Sequence, residues 1–197
     1  MNMNTLQFAF RWLHVLAGII WIGHLYFLNF VNVPLQGLLD DAAKKAVNPQ
    51  LLPRVFWWFR WGAMLTFLSG IVLYAMIYMY DPVMGFGMTG MKNPSPWIMM
   101  GMLFGAIMWF NVWFIIWPTN RKILSGQVPA DQLPAARAKA KLFSRTNTYL
   151  SGPMLFGMLG ANHSGMHTLK SLIVALVIGF GGAWVLIFHS DRVGKTV

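Results

Sequence analysis

Long apolar stretches, nearly free of charge, recur five times along this sequence, at about residues 6–33, 58–80, 97–117, 142–162 and 169–189. An apolar helix needs about 20 residues to cross the hydrocarbon core of a bilayer. Lipid offers no hydrogen bonds, so a chain that enters it must satisfy its own backbone, and separate spans of this length do so as α-helices. The expectation is therefore an all-α integral membrane bundle of about five transmembrane helices, forming a single domain over residues 1–197. The fourth stretch is the weakest, because it carries Arg145, Asn147 and Pro153.

Basic residues then orient the bundle. Lys44, Lys45, Arg54 and Arg60 lie between the first two spans. Arg121, Lys122, Arg137, Lys139, Lys141 and Arg145 lie between the third and fourth, and Arg192 and Lys195 follow the fifth. Only Arg11, Lys92 and Lys170 fall on the other side. Cytoplasmic loops collect Lys and Arg, so the N-terminus is expected outside and the C-terminus in the cytoplasm of a bacterial inner membrane. Five crossings require the same alternation.

Composition supports a lipid solvent. Hydrophobic residues make up 57% of the chain and charged residues 10%, against about 25% in an ordinary soluble domain. The net charge of +10 would point to nucleic acid in a soluble protein. Here it reads as topology signals and contacts with anionic lipid, and no nucleic-acid partner is expected. Cysteine is absent, which excludes disulfides, iron–sulfur clusters and covalent heme attachment through Cys-x-x-Cys-His. The first apolar stretch is too long for a cleaved signal. The basic, Ala-rich stretch 128–142 is expected to form a short surface helix, and the Gly-rich run Gly85–Gly90 an outer loop that is no phosphate loop. No internal repeat stands out.

Ionisable residues within a bilayer are costly and carry a functional hypothesis by default. His14 and His24 lie in the first span, His163 and His167 at or beyond the outer end of the fourth, and His189 at the end of the fifth. A b-type heme needs axial ligands on facing helices, an apolar slot and cations for its propionates. His14 meets the first need. Gly18 lies one turn below it, Trp21 follows at helical spacing, and Arg11 lies one turn above, where propionates would point. Equally, His14 could be a packing histidine and Arg11 a snorkelling interface residue. His24 reads best as a buried, hydrogen-bonded histidine. The pair His163 and His167 would be a weak metal site, with no carboxylate or Cys nearby. Arg145, Asn147, Thr148, Tyr149 and Ser151 form a polar stripe that is either a pocket for a quinone-like ligand or a capped helix start; Asn111 reads as a hydrogen bond between helices. No carboxylate lies within a span, which argues against a proton relay built on Asp or Glu.

The segment Arg11-Trp-Leu-His14-Val-Leu-Ala-Gly18-Ile-Ile-Trp21-Ile-Gly23 resembles the first helix of the membrane-bound urate oxidase (urate hydroxylase) family. Arg145-Thr-Asn-Thr-Tyr-Leu-Ser-Gly-Pro-Met-Leu-Phe-Gly-Met-Leu-Gly-Ala-Asn-His163 is similar to its Asn-x-Tyr, Pro-x-Leu-Phe-x-Met and terminal His segment, and Asn111–Pro118 to its intervening helix. A shorter likeness, His-x₆-Trp-x-Gly, is to the membrane protoporphyrinogen oxidase family. The resemblance implies a membrane redox domain holding heme b between His14 and His163, with His167 or His24 as substitutes. It also implies electrons leaving to a cytochrome c. Family members carry a covalent cytochrome c domain; without Cys-x-x-Cys-His in this chain, a separate cytochrome c or a larger membrane redox complex would take that part. The alternative expectation is a non-catalytic accessory subunit of a respiratory or photosynthetic complex.

Overall fold

The computed structural model describes residues 2–87, 93–163 and 168–194, and they are almost entirely helical. Helix α1 (Met3–Tyr26) continues through a six-residue π-helical segment, Phe27–Asn32, into α2 (Val33–Leu38). Helix α3 (Asp41–Tyr78) returns antiparallel, and a two-stranded hairpin follows, β1 (Tyr80–Asp81) paired with β2 (Gly85–Phe86). The second hairpin of helices repeats this plan. It runs through α4 (Pro96–Phe110), a π-segment at Asn111–Ile116, α5 (Trp117–Leu124) and the long α6 (Leu133–His163), before α7 (Leu169–Ser190) closes the chain.

Four of these helical units, Met3–Leu38, Asp41–Tyr78, Pro96–Leu124 and Leu169–Ser190, are long and apolar enough to cross a membrane. The protein is a multi-pass membrane protein. Its all-α character matches the reading of the sequence, but the helices run well past their apolar cores. α3 starts at Asp41 and not near residue 58, because Asp40 caps it by accepting from the Ala43 N–H at 2.7 Å. The basic stretch expected as a separate surface helix forms the opening turns of α6. Hydropathy detects only the part of a helix at lipid depth, whereas backbone hydrogen bonding continues into the interface. The Gly-rich run beyond Gly87, with Lys92, lies outside the described residues.

α6 is the least apolar of the five long units, and its place in the packing explains why. It packs against α4, α7 and α1, and its Asn147, Thr148, Ser151 and Pro153 are all buried. α7, by contrast, is the most apolar and the most exposed. In a bilayer the sequence turns inside out, with polar groups where helices meet and apolar groups where lipid is the solvent.

Both π-segments have one physical cause. Each ends two residues before a proline, Pro34 in one case and Pro118 in the other. Proline has no N–H and its ring crowds the carbonyl four residues back. Widening the helix by one residue per turn lets the next donors reach back five residues, as Val33 N–H does to Leu28 O and Trp117 N–H to Val112 O. Each segment also holds an asparagine that reaches α6. Asn29 donates to Leu25 O at 2.9 Å and to Ser144 Oγ at 2.8 Å. Asn111 donates to Asn147 Oδ1 at 2.8 Å, and Asn147 donates onward to Met108 O at 3.0 Å. The expected interhelical role of Asn111 is thus observed. Asn147→Leu would break both bonds and strand the Asn111 amide. The expected loss is about 1–2 kcal/mol, toward the upper end for hydrogen bonds between membrane helices, read as an earlier midpoint in a detergent-denaturation titration.

Arg60 anchors the basic end of the bundle. Its guanidinium lies 4.3 Å from the ring centroid of Trp117 and 5.8 Å from that of Trp113, while Trp113 Nε1 donates to the Arg60 carbonyl at 3.0 Å. Such cation–π contacts suit an interface where one face of the ring is wet.

Candidate functional site

α1 and α3 meet in a seven-residue rhythm. Gln7 Nε2 donates to Met76 O at 3.1 Å, His14 Nδ1 meets Ser69 Oγ at 3.1 Å, and Trp21 packs its backbone on Gly62. A Cβ on Gly62 would come within 3.0 Å of the Trp21 nitrogen, so this glycine lets the two backbones approach closely. Ala17 and Trp21 are buried in the same seam, and Gly18 faces Thr66 across it.

The His14–Ser69 contact decides the state of the imidazole. Ser69 has one hydroxyl proton, and it is given to backbone carbonyls of its own helix, Leu65 O at 2.6 Å and Thr66 O at 3.1 Å. Its oxygen therefore accepts, and His14 donates from Nδ1. That places the proton on Nδ1 and leaves Nε2 with an unshared pair. Metal-binding histidines are held in this way, with the second nitrogen donating to an oxygen that sets the tautomer and the ring's orientation. Gly70 makes room, since a Cβ there would lie 3.1 Å from His14 Cε1.

The remaining residues expected at the site fall in different places. Gly18 and Trp21 face α3 and hold the seam, so they set the height at which His14 is presented. Trp21 Nε1 is buried with no hydrogen-bond partner among the described residues. Arg11 is exposed one turn above His14, within electrostatic range of Tyr78. His163 is the exposed last residue of α6. His24 has the expected hydrogen bond, Nδ1 to Ile20 O of its own helix at 2.6 Å, but it is half-buried and not buried. His189 is exposed at the basic end of α7, and His167 lies outside the described residues. No group of three His, Cys, Asp or Glu gathers among the described residues.

Counting along the helices puts His14 and His163 at a similar height. Tyr26 of α1 and Ser151 of α6 are joined by a 2.9 Å hydrogen bond, which sets a common level for these antiparallel helices. His14 lies twelve positions back from Tyr26 and His163 twelve positions on from Ser151. Both are therefore raised by roughly 18 Å, at 1.5 Å per residue, to within about one turn of each other.

Residues 83–196, more than half of the chain, match the urate oxidase N-terminal family. The chain belongs to the urate oxidase N-terminal family. The matched region of this urate oxidase N-terminal chain contains both Asn111–Pro118 and Arg145–His163, while the segment around His14 lies ahead of it. Comparison with curated proteins and with solved structures returned no match. Ser69 and Tyr26 were not singled out from the sequence. Ser69 had one signal there: with Thr66 and Gly70 it forms a small, hydroxyl-bearing patch inside an otherwise apolar span.

Proposed function

We propose that this chain is a b-type heme protein of a bacterial inner membrane, passing electrons toward a cytochrome c or a partner complex. His14 and His163 would be the axial ligands, near the outer face. The observation that carries this reading is the His14–Ser69 bond, which holds the imidazole in orientation with Nδ1 as its donor. The similar height of the two histidines and membership of the urate oxidase N-terminal family support it. Heme b supplies a one-electron couple. Ser69 holds the His14 ring, Gly70 gives it space, and Arg11 lies on the side where propionates would reach the interface. The clustering of basic residues at one end supports an N-terminus outside and a C-terminus in the cytoplasm.

Purified protein is expected to show a Soret band with b-type features in the reduced-minus-oxidised spectrum, and extracted pigment to type as heme b. A colourless, folded protein that takes up no added heme would overturn the assignment. A second reading, an accessory subunit of a larger membrane complex, draws on the broad apolar face of α7, with Val177, Ile178, Trp184 and Val185 exposed. Purification in gentle detergent separates the two: a small coloured particle supports the first, and a colourless chain migrating with a large complex supports the second.

A further inference from the structure

Between the first π-segment and α7 the structure holds two cavities, of about 210 and 620 Å³. They share Phe30 and Leu186 as walls and so form one groove. The inner cavity lies at the level of the Tyr26–Ser151 bond. One wall is the stacked pair Tyr26 and Phe30, with ring centroids 5.0 Å apart. The facing wall carries Ile178, Ala183 and Leu186 beside the backbone of Gly152, Gly179 and Gly182. The larger cavity continues along Val31, Leu35 and Leu38 toward His189 at the basic end.

The polar groups of the inner cavity have a definite polarity. Thr148 donates its hydroxyl to Ser144 O at 3.1 Å and Ser151 to Thr148 O at 2.7 Å. With the Ser151 proton committed, the 2.9 Å bond to Tyr26 is donated by the phenol. What remains free on the phenol oxygen is a lone pair, so the cavity offers an acceptor to its occupant and no spare hydroxyl proton. A ligand that fits brings a flat ring to the aromatic pair and an O–H donor to the phenol oxygen.

We infer that this groove binds a quinol, with its ring in the inner cavity against the Tyr26–Phe30 stack and one hydroxyl donating to Tyr26. The reduced form is favoured, because a quinone carbonyl would bring an acceptor to meet an acceptor. The inference does not depend on heme at His14.

Gly182 supplies the test. It lines the inner cavity, and a Cβ there meets nothing within 4 Å. Leucine at this helical position therefore fits without strain, improves helix propensity and fills the groove. Gly181 is equally open and lines neither cavity, so Gly181→Leu is the matched control. Binding of decyl-ubiquinol and decyl-ubiquinone to the purified full chain would be measured by equilibrium dialysis in detergent, with circular dichroism and gel filtration confirming that each variant is folded. Saturable binding that prefers the quinol is expected, lowered at least tenfold by Gly182→Leu and unchanged by Gly181→Leu. Tyr26→Phe should reduce the quinol's affinity toward that of the quinone. Absence of saturable binding, or binding indifferent to Gly182→Leu, would overturn the inference. So would displacement of the quinol by equimolar phosphatidylglycerol, which would make the groove a lipid site.

Discussion

His14→Ala is expected to abolish heme retention while leaving the helical bundle standing. The two effects separate because their magnitudes differ. Within the protein the His14 ring is held by hydrogen bonds to Ser69 and to the Thr66 backbone, a contribution of about 1–2 kcal/mol net. Losing it does not unfold a helix held to α3 along a seam of several turns. Losing Nε2, in contrast, would remove the proposed iron ligand outright. Ser69→Ala grades the same prediction, since it keeps the imidazole and frees its orientation. Removing such an outer partner weakens binding by about 10–100-fold, so Ser69→Ala should retain heme during purification and lose it to a competing apo-protein faster than the parent. His163→Ala should leave heme bound through His14 with a spectrum changed by the missing sixth ligand. Heme content per chain, measured beside circular dichroism, checks the series. Full heme in folded His14→Ala protein would remove His14 from the site.

The second large effect falls on stability. Gly157 lies where α6 crosses α4, and a Cβ there would sit 2.6 Å from Trp97 O, 2.9 Å from Gly101 N and 3.0 Å from Gly101 Cα. All three are backbone atoms, so no rotamer change relieves the clash. Gly157→Ala must push the helices apart, and overpacking of this kind costs about 1–3 kcal/mol. Gly157→Val, with two more methyl groups, should fail to yield monodisperse protein. Gly181→Ala meets open space and gains the helix propensity of alanine over glycine, about 1 kcal/mol. Thermal unfolding in detergent should therefore place Gly157→Ala below the parent and Gly181→Ala level with it or above. Equal midpoints for Gly157→Ala and the parent would mean that α4 and α6 do not touch at this glycine.

The legibility of this protein varies with the range of the interaction. Apolar runs showed that the chain crosses a membrane as helices, because hydropathy is a local property of some twenty residues. They missed the opening turns of α3 and the unbroken length of α6, where capping by Asp40 and backbone continuity carry a helix into water. Pro118 closes an apolar run in the sequence, yet in the folded chain both it and Pro34 follow a π-segment that absorbs them, since lipid penalises an open backbone more than a widened turn. Asn111 could be read as a bond between helices, but its partner Asn147, thirty-six residues on, could not.

For the candidate site the division is sharper. The sequence alone determined which imidazoles enter the bilayer and that His14 lies within a helix, because cost of burial and helical spacing are decided by residue type and order. Only the tertiary structure decided that Ser69 stands opposite His14 and accepts a hydrogen bond from its Nδ1. It alone decided that Tyr26 and Ser151 bring α1 and α6 to one level, and that a groove opens beside the first π-segment. Those facts depend on which faces of distant helices meet, and a helix contains in its own sequence the face it can bury but not the neighbour that will cover it.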